Sequence, residues 1–169
     1  MPVRVRVRTP TTLNRTGRRR IFLQLAGTLL LANIGLELNA GQRWETLQAI
    51  HWVENPTNTL RPGPCGELGA YQFRPQTWQM HTSQPFSAAL DRQCSDEVAV
   101  RHYEWLKVRL ERAGIEATPY NIALAWNAGL TAVLNDHVPA SSHDYADRVS
   151  NLAMELRARQ LASLEHGSN

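Results

Sequence analysis

Between Trp44 and Glu54 the apolar positions recur with helical spacing, since Leu47, Ile50, His51 and Glu54 stand at i, i+3, i+4 and i+7 and share one face. The spacing predicts a helix over 44–54. Pro56 keeps Asn55 out of helical backbone angles, so the helix stops there and Glu54 falls in its last turn. Residues 57–70 carry Pro62, Gly63, Pro64, Gly66 and Gly69 among threonine and asparagine, the composition of a loop or small hairpin. Tyr71-Gln72-Phe73 is its expected last strand, and Pro75 opens a helix through Thr77 and Met80.

Ser95 reads as an N-cap, with Asp96 and Glu97 in the first turn facing the positive end of the helix dipole. The helix that follows has a long apolar stripe in Ala99, Tyr103, Leu106, Leu110 and Ala113, and Gly114 ends it. Thr118-Pro119 opens another that is apolar nearly all round from Ile122 to Trp126, the pattern of a buried central helix. A polar, turn-rich stretch follows Gly129. Tyr145, Val149, Leu152 and Leu156 mark the inner face of a final helix, and the chain is expected to fray from Leu161. The expected class is mainly α, an α+β domain with a small β-hairpin element around residues 66–73. There is no internal repeat, heptad run or low-complexity tract.

The opening forty residues differ in kind. They hold seven arginines and one acidic residue, then a run from Ile21 to Gly35 that is apolar apart from Gln24 and Asn33. That is the layout of an export signal. As a helix, such a run rises about 22 Å, short of a hydrocarbon core of about 30 Å. Small residues follow at Asn39, Ala40 and Gly41, so cleavage near Ala40 is expected, with an uncleaved signal anchor as the alternative. Arg19-Arg20-Ile21-Phe22-Leu23-Gln24 resembles the twin-arginine export pattern with arginine in place of the usual Ser/Thr ahead of the pair, and the general route would serve as well. The expected organisation is a signal at 1–40, one domain at 41–160 and a flexible tail at 161–169. The mature protein then acts outside the cytoplasm, periplasmic or extracellular, without a stable membrane span.

This partition changes the charge. The whole chain has 18 basic and 15 acidic residues, and without the first forty it keeps 11 against 14, so a formal +3 becomes −3. A nucleic-acid partner would need a positive field on the folded domain, and none is expected. Only Cys65 and Cys94 remain as thiols, and in an oxidising compartment such a pair tends to close. A disulfide is expected, worth roughly 3 to 4 kcal/mol on the chain-entropy model; two unpaired cysteines are the alternative.

Glu54 shares its face with Leu47 and Ile50, so its carboxyl reaches the border of the core beside a loop able to hold a cleft open. Apolar surroundings disfavour the charged form and raise the pKa, which suits a general acid near neutral pH. Beyond it, the segment from Gly66 to Thr77 sets two glycines, a glutamine and a Pro-x-Thr at fixed distances, with Gln72 eighteen residues after Glu54. Further on comes Ala125-Trp126-Asn127-Ala128-Gly129.

These three ordered motifs, over roughly residues 44 to 156, resemble the soluble lytic transglycosylase and goose-type lysozyme superfamily. There a helix-ending Glu-Ser is followed by Gly-x-x-Gly-Leu-Met-Gln, Pro-x-Thr and Ala-Tyr-Asn-Ala-Gly. Asn55 stands here for the serine, Ala70-Tyr71 for Leu-Met and Trp126 for the tyrosine. The Ala-Tyr-Gln-Phe segment is also similar to lambda-type phage endolysins. The resemblance implies a lysozyme-like fold that cleaves the bond between N-acetylmuramic acid and N-acetylglucosamine in peptidoglycan. It makes Glu54 the acid/base and lines the cleft with Gln72, Tyr71, Trp126, Asn127 and Tyr145, whose hydroxyl would point at the glutamate.

Glycoside cleavage normally takes two carboxylates, whereas the transglycosylases resembled here have one, and the sugar's own 6-hydroxyl closes a 1,6-anhydro ring. Glu67, thirteen residues after Glu54, is the candidate second carboxylate for a true hydrolase, or else a solvated loop residue. A catalytically inactive wall-binding module is the reading of a different class. His51 is read as a core histidine. His81, His102, His137 and His143 do not group at metal-ligand spacing, so neither metal nor cofactor is expected. Trp44, Trp52, Trp78 and Trp105 are assigned mainly to the core. The expected partner is the glycan strand, bound by a monomer.

Overall fold

The structure is a computed structural model that describes residues 42–166. The expected signal lies outside the described residues. Those residues are mainly α-helical. Helix α1 occupies residues 42–54, followed by α2 (Pro75–His81), a 3-10 turn (Phe86–Leu90), α3 (Arg92–Arg112), α4 (Pro119–Ala128), α5 (Leu130–Leu134) and α6 (Ala140–His166). No helix among them is long and apolar enough to cross a membrane.

Helix α4 buries Ile122, Ala123, Leu124 and Ala125 in succession, so every side of its middle meets protein. Its most extensive packing is against α6, through Tyr145, Ala146, Val149 and Ala153, and it also packs on α3. Small alanines on both partners let these helices approach closely. The Thr118 side chain caps α4 by accepting from the Asn121 N–H, and Pro119 takes the first turn, where no hydrogen bond is lost. Around this pair the core is completed by Ile50 from α1, Trp78 from α2, Val98, Leu106 and Leu110 from α3, and Tyr71 and Phe73 from the loop before α2.

Several boundaries differ from the pattern-based expectation. Helix α3 starts at Arg92, not Ser95: Asp91 is the cap, its carboxylate accepting from the Cys94 N–H at 2.8 Å. Ser95 is drawn instead into the core, fully buried. The turn-rich stretch after Gly129 contains the short α5. Helix α6 runs on to His166, past the fraying expected from Leu161, with a Glu155–Arg159 pair at i, i+4 along its exposed end. The β-hairpin shrinks to one antiparallel bridge between Leu68 and Phe73, and no strand occurs among the described residues. The four residues between those two form a tight turn, closed from the Gln72 N–H to the Gly69 carbonyl at 3.2 Å, leaving no length for a ladder.

Candidate active site

The site begins where α1 ends. Glu54 is the last helical residue, and the Asn55 side chain immediately latches the following chain. Its Nδ2 donates to the carbonyls of Thr59 (3.0 Å) and Gly69 (3.2 Å), and its Oδ1 accepts from the Thr59 N–H (2.9 Å). Asn55 is 2% exposed, so its amide, in the place of the resembled serine, satisfies the loop from inside. The Gly69 carbonyl also accepts from Gln72 Nε2 at 3.0 Å. Gln72 itself has φ of +46°, which turns its side chain back over the loop and into the cleft.

Glu54, Pro64, Cys65, Glu67, Gln72, Phe73 and Arg74 form one side of a cleft of about 450 Å³. Thr77 of α2, His102 of α3 and the run Trp126 to Gly129 at the end of α4 complete it. On the Glu54 wall, the Tyr145 hydroxyl of α6 donates to Oε1 at 2.8 Å. Asn127 stands exposed at the cleft, its Oδ1 accepting from Ser142 at 2.7 Å, which leaves its amide nitrogen free to donate outward.

Two carboxyls in this cleft are driven apart in acidity. Burial pushes Glu54 above the ordinary glutamate value, the Tyr145 hydrogen bond pulls it partly back, and the charge of Glu67 pushes it up again. Glu67 goes the other way. Against some desolvation, the backbone N–H groups of Glu67 and Cys65 and the guanidinium of Arg74 hold it ionised below its usual range. One group carries a proton to higher pH while its neighbour stays charged, the division of labour an acid and a charge-stabilising or water-activating partner require.

Of the residues expected at the cleft, Glu54, Glu67, Gln72, Trp126 and Asn127 line it, and Tyr145 reaches it through Glu54. Tyr71 does not. It is 2% exposed, packed against Phe73 and Trp126, and its hydroxyl donates to Asp96 at 2.7 Å. Arg92 stacks over the Tyr71 ring and bonds both Asp96 and His51, so Tyr71 ties the cleft floor to α1 and α3 from behind. Cys65 and Cys94 stand as free thiols in this structure, Cys65 exposed at the cleft edge and Cys94 half-buried in the first turn of α3. Trp44 and Trp52 are exposed on α1, and Trp78 alone of the remaining tryptophans is fully buried.

Missed by sequence reasoning are Thr77, Arg74 and above all His102, which meets His81 across 21 residues at 2.9 Å. The Pro75-x-Thr77 motif marks Thr77, and Arg74 directly precedes it; nothing local marks the histidine pair. Among the described residues no three ligating side chains converge as a metal site would need.

Burial lowers His51 and His81, and lowers His102 to about 3. Folded, these rings bind fewer protons than unfolded ones, so stability is intact above the ordinary histidine value of 6.5 and is lost as pH falls below it. His102 alone is expected to cost about 2 to 3 kcal/mol by two units below that value. Urea unfolding at pH 7 and pH 4.5 checks this: His102→Phe should flatten the difference, and an unchanged pH dependence would contradict it.

Comparison of the chain with models of known families, with curated proteins and with solved structures finds no match.

Proposed function

We propose that this protein is a lytic transglycosylase of lysozyme-like fold, which cleaves the β-1,4 bond between N-acetylmuramic acid and N-acetylglucosamine in peptidoglycan. The observation that carries this reading is a single glutamate at a helix end, pushed toward its protonated form by burial and oriented by a tyrosine hydroxyl, opening on a cleft of about 450 Å³. In this reading Glu54 protonates the bridging oxygen as the C1–O4 bond breaks and positive charge develops at C1. The resulting carboxylate then takes the proton of the muramyl 6-hydroxyl while that oxygen closes on C1, giving a 1,6-anhydro end and restoring the acid. The Tyr145 hydrogen bond keeps Oε1 pointed and lowers the cost of the transient charge. Gln72 Oε1 and the Asn127 amide are polar groups aimed at hydroxyl or acetamido groups, and Trp126 offers a ring for a pyranose face. The protein is exported, needs no metal or cofactor, and works as a monomer on glycan strands.

A second reading, true hydrolysis, is favoured by one feature: Glu67 lies in the same cleft, ionised and close enough to affect Glu54. There Glu67 would activate water in place of the 6-hydroxyl. Mass spectrometry of fragments released from intact sacculi separates the two, because anhydro ends mark the transglycosylase and reducing ends the hydrolase. Glu67→Gln is expected to cost less than about tenfold in rate for the transglycosylase, against about a hundredfold or more if it activates water.

A further inference from the structure

Behind the aromatic wall of the cleft lie two histidines that the chemistry above leaves unused. His102 is 7% exposed yet lines the cleft from α3. Its Nδ1 lies 2.9 Å from Nε2 of His81, at the end of α2. The ring stacks on Trp105 with planes 14° apart, and meets Trp126 edge-on at 4.7 Å between centroids. The rings of Phe73, His81, Trp105 and Trp126 surround it.

A hydrogen bond between two neutral imidazoles contains one proton, so the ring that supplies the lone pair must carry its own proton on its other nitrogen. With Nδ1 taken up by His81, Nε2 is the His102 nitrogen left over for the cleft, a donor when His81 Nε2–H donates to Nδ1 and an acceptor in the opposite tautomer. Burial and the nearby charge of Arg101, which also donates to the His81 carbonyl at 2.9 Å, keep His81 uncharged. This part of the cleft is an uncharged imidazole set among the Trp126 and Phe73 rings, and the tautomer in which His81 donates makes it a donor.

We propose that His102 is a specificity-determining residue that recognises the acetamido group of an amino sugar, its Nε2–H donating to the acetamido carbonyl while the methyl rests on the Trp126 and Phe73 rings. This rests on reading the cleft as a glycan site. A bare sugar hydroxyl brings an acceptor but no apolar end. The free ammonium left by de-N-acetylation brings no acceptor for the His102 N–H and no methyl for the Trp126 and Phe73 rings, and it sets a charge against those rings.

The full chain should be assayed on peptidoglycan before and after chemical de-N-acetylation. Wild type is expected to prefer the N-acetylated strands by about tenfold or more in kcat/KM, the worth of one buried hydrogen bond. His102→Leu should bring that preference within about twofold, mainly through KM, and His102→Gln, which keeps an N–H donor, should retain much of it. A purely structural histidine would lower turnover of both substrates alike and leave the preference intact, which overturns the assignment. If wild type releases fragments from neither substrate, the glycan reading itself fails and this inference with it; if it acts equally on both, only the role of His102 fails. Should His102→Leu not fold, nitrogen-15 NMR of the wild type decides. A β-1,4 oligomer of N-acetylglucosamine should shift the His102 ring nitrogens, a de-N-acetylated oligomer of equal length should not, and equal or absent shifts would overturn the proposal.

Discussion

Glu54→Gln is expected to lose about 10² to 10⁴-fold of peptidoglycan turnover while the protein remains folded. The amide has the shape of the acid and can still accept the Tyr145 hydroxyl that now meets Oε1 at 2.8 Å. It has no proton to give the leaving oxygen and cannot serve as base in the second half of the reaction. Removing the carboxyl also removes the cost of holding a partly desolvated ionisable group beside Glu67, so stability should hold or rise slightly. Release of soluble fragments from purified sacculi, with circular dichroism melting alongside, measures both. A folded variant keeping more than a tenth of wild-type turnover would remove Glu54 from the chemistry.

Gly69→Ala is expected to destabilise the domain by more than about 3 kcal/mol, the largest effect expected of an added methyl among the described glycines. Gly69 has φ of +81°, a backbone region that alone costs an alanine about 1 kcal/mol. A methyl there would also stand 1.8 Å from the Ala89 carbonyl oxygen and 2.8 Å from its carbon, both backbone atoms. The clash forces the 66–73 loop off the 3-10 turn, and overpacking of this kind costs about 1 to 3 kcal/mol or more. The same glycine's carbonyl collects the Asn55 and Gln72 amides, so the cleft would distort as the loop moves. Gly66→Ala is the control, with φ of +82° and nothing within 4 Å of the added carbon. Urea denaturation of the two variants isolates the clash: Gly69→Ala should fall well below Gly66→Ala, and parity between them would mean the loop is not pinned there.

What the sequence made legible is what short-range physics decides. Pro56 ends α1 and so puts Glu54 at its last position, Thr118-Pro119 caps α4, and the all-round apolar run places α4 at the centre. Motif order brought Glu54, Gln72, Trp126 and Asn127 into one reading, and they line one cleft. Choices that depend on partners far along the chain were not legible. Asp91 and Ser95 are both good caps by residue type, and only the packing of Ser95 into the core beside Gly69 selects Asp91. Tyr71 stands in a motif expected to line the cleft, yet Asp96, 25 residues on, gives its hydroxyl a half-buried partner and turns it inward. The His81–His102 and Asn55–Gly69 contacts likewise join residues 21 and 14 positions apart on different elements, which only the tertiary packing brings together.

The state of Glu54 bears most directly on the proposed chemistry, and carbon-13 NMR of its side-chain carboxyl across pH reads it in the full chain. Its midpoint should lie above the ordinary glutamate value of 4.5, and Tyr145→Phe, which removes the hydrogen bond that favours the charged form, should move it higher still. Correspondingly, kcat/KM should fall as pH rises through that midpoint, with the falling limb displaced to higher pH in Tyr145→Phe. A carboxyl that titrates at or below 4.5, indifferent to Tyr145, would contradict the assignment of Glu54 as the proton donor.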